Sequence, residues 1–211
     1  LSNNTNQNLN NAYRSFIFDN PIEDEDDDML DYTSSAHTLA ENIKSIDVKH
    51  SCSIGLIAPW GMGKTSYLNI LSKCFDKESF IVLRFNPRHS ISSDNIQADF
   101  FNLLFSTLAQ YDSRFNSSLK DYLKAINIVA ENNLIDKILN KSKIWDKWVE
   151  KNEVNDAIKH INKRIIVFID DFDRLLREEI IEVFKLIDGN ASFTNLIFIS
   201  AYDKEYVNKI I

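Results

Sequence analysis

Cysteine, histidine and positive charge are all scarce in this chain, and each shortage closes off a class of function. Cys52 and Cys74 are its two cysteines. They show neither metal-ligand spacing nor a paired framework, so they read as reduced, buried thiols of a cytosolic protein rather than a disulfide scaffold. His37, His50, His89 and His160 are scattered, with no H-x-x-x-H and no mixed Cys/His cluster, so a structural zinc site is not expected. A net charge of −7 gives no bulk signature of nucleic-acid binding. Much of the acidity is gathered in "IEDEDDDMLD", Ile22 to Asp31, which reads as a solvated loop, with a partner surface as the alternative. Long apolar runs are missing too. "IIVFI" and "FFNLLF" fall far short of the roughly 20 residues a membrane helix needs, so the portion shown is expected to be soluble, without a transmembrane segment, and cytoplasmic. No secretory leader is read. The chain opens on Leu1 and ends in the first turns of a helix, so a piece of a longer protein is expected.

What is present is a globular composition, 44% hydrophobic over 211 residues, enough for one sizeable core. "LSNNTNQNLNN" opens a polar segment, residues 1–18, expected to be mobile. "TSSAHTLAENIKSI" reads as a helix capped by Thr33, Ser34 or Ser35, with Ala36, Leu39, Ala40 and Ile43 on its apolar face. "SCSIGLIA" and "SFIVLRF" read as buried strands, joined by a helix with Tyr67, Leu68, Leu71 and Phe75 at helical spacing. From Asp94 to Lys163 the pattern is helical throughout, including a Trp145/Trp148 pair that reads as core packing rather than an exposed platform. "RIIVFIDD" and "NLIFIS" are two more strands of the uncharged type expected in parallel sheets, and Gly189 is expected to close the helix between them. The predicted fold is therefore α/β: a parallel-sheet core with a helical insertion between its second and third strands. Residues 19–93 and 164–211 supply the two parts of the core, and residues 94–163 the insertion.

The chemistry concentrates in "APWGMGKTS", Ala58 to Ser66. A phosphate loop needs a strand, a tight turn and a helix whose free N–H groups and dipole face the turn. Here the loop runs through Pro59, Trp60, Gly61, Met62 and Gly63 into a helix at about Lys64. Lys64 is expected to reach the β- and γ-phosphates of ATP, Thr65 to ligate Mg²⁺, and Ser66 to contact the α-phosphate. Ala58 stands where the pattern G-x-x-x-x-G-K-[ST] has its first glycine. Pro59 restricts Ala58 to extended backbone, which stiffens the turn rather than destroying it.

A second motif makes chance an unattractive explanation. "IIVFIDDFD" is an apolar strand ending in two acids. Asp170 is expected to hold Mg²⁺ opposite Thr65, and Asp171 to act as general base on the attacking water. An acidic turn with Asp173 capping the next helix would explain Asp173, but not the matched loop upstream. Aspartate is shorter than the glutamate often found at the position of Asp171, so turnover is expected to be slow. Ser200 or Asp203 stands where a polar residue senses the γ-phosphate, and strand-end or helix-cap roles fit each equally well. Arg174 either serves a neighbouring subunit as an arginine finger or pairs with an acid of its own.

These motifs resemble the KAP family of P-loop NTPases. "GLIAPWGMGKTSYLNIL" is similar to its tryptophan-containing Walker A, "VLRFNP" to its F-N-x-W element, "VFIDDFDRL" to its Walker B, and "NLIFISAYDKEYV" to the strand and segment that follow. "NPIEDEDDDMLDYTSSAHTLAENI" resembles the family's leader. The departures are Ala58, and Arg88 in place of the usual tryptophan. The resemblance implies an ASCE-type ATPase core related to STAND and AAA+ proteins, commonly the motor or switch module of a longer bacterial chain in anti-phage defence. It also implies that Pro21 and Ile22 pack against adenine, although a simple docking strand fits them as well. Self-association or a partner effector subunit follows from the same resemblance. The expected function is an ATP- and Mg²⁺-dependent ATPase switch. The alternative is an ATP-binding oligomerisation scaffold with little hydrolysis. A small-molecule kinase is disfavoured, because no Arg-rich lid is seen between Asp94 and Lys163.

Overall fold

The computed structural model describes residues 21–47, 51–115 and 140–211, with backbone alone for 140–150 and Asn190. The polar 1–18 segment and much of the proposed insertion lie outside the described residues, as do the side chains of Trp145 and Trp148. Four strands form one sheet: β1 (Cys52–Ile57), β2 (Phe80–Phe85), β3 (Arg164–Ile169) and β4 (Leu196–Tyr202). All neighbours pair in parallel, in the order β1-β4-β3-β2. The helices are α1 (Tyr32–Ser45), α2 (Lys64–Lys73), α3 (Ile96–Leu108), α4 (Asn140–Ile161), α5 (Arg177–Lys185) and α6 (Lys204–Ile210).

Parallel strands buried on both faces read as continuous apolar runs, which is why β3 and β4 were legible. Alternation sends Ile165, Val167, Ile169, Leu196 and Phe198 to one face, against α3, the C-terminal half of α4 and α5. Ile166, Phe168, Ile197, Ile199 and Ala201 go to the other, against α1 and α2. Phe100 of α3 stacks edge-on with Phe85 and Phe101, with ring centroids 5.3 and 5.4 Å away. This part of the segment between β2 and β3 thus packs directly on the sheet. β1 is one of the two outer strands, with Ser53, Gly55 and Ile57 exposed. Among the described residues, no helix is long and apolar enough to cross a membrane.

Two local expectations are corrected. α1 is not capped by its own Thr33, Ser34 or Ser35. Its first turn is held by Asp28, whose Oδ2 accepts from the Thr33 N–H and from the Thr33 hydroxyl, both at 2.7 Å. Gly189 is not left-handed, because positive φ among the glycines is confined to Gly61 and Gly63. Past α5 the chain makes a π-turn over Leu186–Asn190. The Ala191 N–H donates back to the Leu186 carbonyl at 2.9 Å, so the helix end is satisfied without a glycine cap.

Candidate nucleotide site

The strand order brings the two motifs together. β1 delivers the loop 58–63, and β3 delivers Asp170 and Asp171 at the same C-terminal edge of the sheet, one strand away across β4. The Ala58 N–H donates to the Tyr202 carbonyl at 3.2 Å, carrying the β1–β4 ladder one residue into the loop. Ala58 is not among the residues with positive φ, so its backbone makes no demand for glycine.

Gly61 and Gly63 do make that demand, at φ 83° and 65°. A Cβ on Gly61 would meet open space, but one on Gly63 would lie 3.1 Å from the Tyr32 ring. Tyr32 also donates its hydroxyl to the Met62 carbonyl at 2.6 Å, so α1 props the loop from below. Gly63→Ala is therefore expected to cost roughly 1–3 kcal/mol of stability from backbone strain and to weaken nucleotide binding. Gly61→Ala carries the strain without the contact, so urea unfolding of the two variants separates the terms. The loop tip is open to solvent: Trp60 is 74% exposed and Met62 55%. α2 starts at Lys64, and its first intrahelical bond runs from the Tyr67 N–H to the Gly63 carbonyl at 2.9 Å. The N–H groups ahead of it have no acceptor within the helix.

Lys64 Nζ lies 2.8 Å from Asp173 Oδ2 and donates to the Ala58 and Pro59 carbonyls, each at 3.3 Å. Side-chain exposures of 10% for Lys64 and 4% for Asp173 make this a buried pair. Asp173 is therefore not the cap of the next helix. It sits in the 3₁₀ turn Phe172–Arg174, and α5 begins only at Arg177, where Glu179 accepts from the Leu176 N–H at 2.7 Å. Spacing alone could not separate the third acid of "DDFD" from a cap.

Asp170 accepts from the Asp171 N–H at 2.8 Å. Asp171 adopts a left-handed backbone, φ 56°, which aspartate tolerates better than most residues. Its carboxylate pairs with Arg174 Nε at 2.9 Å and accepts from Asn86 Nδ2 at 3.4 Å, and the charge of Arg88 Nη1 lies 3.9 Å away, beyond hydrogen-bond reach. Arg88, the departure after "FNP", thus belongs to the site, and so does Asn86. Both sit just past β2, and neither was assigned a role from the sequence. Arg84 was missed as well. Its signal was a lone charge in the apolar strand "FIVLRF". The guanidinium donates to Ser72 Oγ at 2.8 Å and lies 5.7 Å from the Phe168 ring centroid, clamping α2 to the sheet. Burial lowers its pKa, opposed by the charges of Asp170 and Glu23.

Ser66 Oγ accepts from the Ile22 N–H at 3.0 Å, and Asn69 Nδ2 donates to the Ile22 carbonyl at 2.9 Å. The leader segment containing Pro21 and Ile22 therefore lies along α2. Of the two sensor candidates, Ser200 pairs with Gly55 and Ile169 and lies on the Phe198 face of β4, away from α2. Asp203 reaches the loop, with Oδ2 accepting from the Trp60 N–H at 3.2 Å. Its Oδ1 caps α6 through the N–H groups of Glu205 and Tyr206. Desolvation pushes this carboxyl up, but the three backbone donors and Lys64 outweigh it, and the net direction is down from 3.8. A depressed folded-state pKa means that the contribution is present above the unfolded value and lost as pH falls through the folded one. Asp203→Asn is expected to flatten the acid limb of stability against pH below about 4, read by urea unfolding across a pH series.

A glycine loop entering a helix, two acids ending a strand, and one strand between them in an all-parallel sheet define a P-loop NTPase core of the ASCE arrangement. The KAP family P-loop domain matches residues 32–211, and the chain belongs to that family. A search of curated proteins finds no match. Among solved structures the chain is similar to the Aeropyrum pernix ORC2 protein, solved as ADPNP–ADP complexes, at 12% identity and a TM-score of 0.45. That match covers 92% of this chain and 46% of the other, so the chain spans less than half the length of that structure.

Proposed function

We propose that this chain is a Mg²⁺-dependent ATP-binding and hydrolysing module, the motor or switch of a larger cytoplasmic protein. The observation that carries the reading is the buried Lys64–Asp173 pair, which joins the acid-bearing turn directly to the phosphate-loop lysine. The loop N–H groups and the start of α2 would hold the β- and γ-phosphates, while Lys64 exchanges Asp173 for a phosphate oxygen. Thr65 and Asp170 would hold Mg²⁺, which when bound offsets the charge of the phosphates. Their chemistry fits a hard cation, being a hydroxyl and a carboxylate. Asp171 takes the proton of the attacking water once Arg174 and Arg88 release it or turn toward the γ-phosphate. Pro21 and Ile22 flank the base, and Asp203 links the loop to α6 as the sensor. Assembly with further copies or with an effector subunit, in anti-phage defence, rests on the family alone.

One observation favours the scaffold reading: Asp171 is already held by Arg174 and Asn86, with the charge of Arg88 nearby, which leaves its carboxylate occupied. Thermal unfolding with and without ATP and Mg²⁺ tests binding, and phosphate release tests turnover. ATP at a hundred times its dissociation constant should add about 2.7 kcal/mol of stability. No shift rejects both readings. A shift without phosphate release selects the scaffold.

A further inference from the structure

We propose that Glu25, His37 and Cys74 form a second metal site, selective for Zn²⁺ or another thiophilic divalent cation and separate from the nucleotide. One ligand atom from each residue lies within 4.8 Å of the other two. The three come from different elements: Glu25 from the 3₁₀ turn Glu25–Asp27, His37 from α1, and Cys74 from the C-cap of α2. No motif spacing could show this, because the ligands meet only when the leader folds along α2.

The geometry suits a thiolate–imidazole site. Cys74 Sγ lies 3.7 Å from His37 Nδ1. A tetrahedral zinc ion, with Zn–S near 2.3 Å and Zn–N near 2.0–2.1 Å, separates its sulfur and nitrogen ligands by about 3.6 Å. Glu25 Oε1 lies 3.2 Å from the other ring nitrogen, Nε2. The ion takes one imidazole nitrogen, and Glu25 is the ligand that swings to it, being 42% exposed at its side chain. Three protein ligands leave a fourth position for water.

The backbones that carry the ligands are already fixed. Ile22 is tied to Ser66 and Asn69, Asp24 pairs with Lys73, and Tyr32 of α1 stacks edge-on with Tyr67 of α2 at 5.5 Å. The cation displaces the Cys74 thiol proton to solvent as the metal–sulfur bond forms. Soft sulfur and borderline nitrogen select zinc-like ions over the Mg²⁺ used with ATP. The site lies at the opposite end of α2 from Lys64, roughly 15 Å along the helix. An ion there would rivet the leader to α2, and so govern the segment containing Pro21 and Ile22.

Co²⁺ titration of the full chain without nucleotide is the test, read by the thiolate-to-cobalt charge-transfer absorbance. One equivalent should saturate the band, and Zn²⁺ should displace it. Cys74→Ser should abolish the band, His37→Ala should weaken binding by roughly tenfold or more, and Cys52→Ser should leave it intact. Thermal shift by ATP and Mg²⁺ should survive in Cys74→Ser, showing that the variant folds and that the nucleotide reading stands or falls separately. Absence of the band in the parent, its persistence in Cys74→Ser, or unchanged affinity in His37→Ala would each overturn the proposal.

Discussion

Asp171→Asn is expected to lower ATP hydrolysis by about 10²–10⁴-fold while leaving ATP-dependent stabilisation in place. Asparagine keeps the shape of the side chain and tolerates the left-handed backbone at this position, φ 56°, so the turn after β3 should hold. What it loses is the negative charge proposed to take a proton from water, which also binds Arg174 at 2.9 Å. The arginine pair is exposed enough on the Arg174 side, 49%, that its loss should matter little for folding. Single-turnover phosphate release is the readout, with the thermal shift as control. Equal turnover in parent and variant would mean that water is activated elsewhere or that no hydrolysis occurs at this site.

The second large effect concerns stability without nucleotide. Lys64→Ala strands the Asp173 carboxylate in a turn where 4% of its side chain is exposed. Removing one partner of a buried ion pair typically costs about 3–5 kcal/mol, far more than the intact pair contributes, because an uncompensated charge remains. Combining Lys64→Ala with Asp173→Asn removes that charge and should recover most of the loss. Urea unfolding of the parent, both single variants and the double variant closes a thermodynamic cycle. Costs that add within about 0.5 kcal/mol would show that the two side chains do not interact. The practical consequence is that Lys64→Ala alone is a poor binding control, since it would perturb the fold as well as the proposed phosphate contact.

The fold was legible where one stretch of sequence carried its own signal. β3 and β4 announced themselves as uncharged β-branched runs, and the loop 58–66 as a contiguous pattern between strand and helix. The parallel sheet and the KAP family assignment followed from those pieces. What stayed hidden depended on residues distant in sequence. A helix cap was the role that explained Asp173 in the sequence, because only the folded turn points it at Lys64. Asn86 and Arg88 were given no role because their partner, Asp171, arrives just past the end of the neighbouring strand. Asp28, five residues upstream, took the capping role expected of the first turn of α1. Glu25, His37 and Cys74 showed no cluster for the same reason: register within an element is local, whereas which elements touch is decided by the core.

The most direct test of nucleotide binding through Lys64 is a crystal structure of the chain with a non-hydrolysable ATP analogue and Mg²⁺. The expected result is a triphosphate cradled by residues 59–66, with Lys64 moved from Asp173 to the γ-phosphate and the metal between Thr65 and Asp170. A well-ordered nucleotide bound elsewhere, with the Lys64–Asp173 pair intact at its present 2.8 Å, would contradict it.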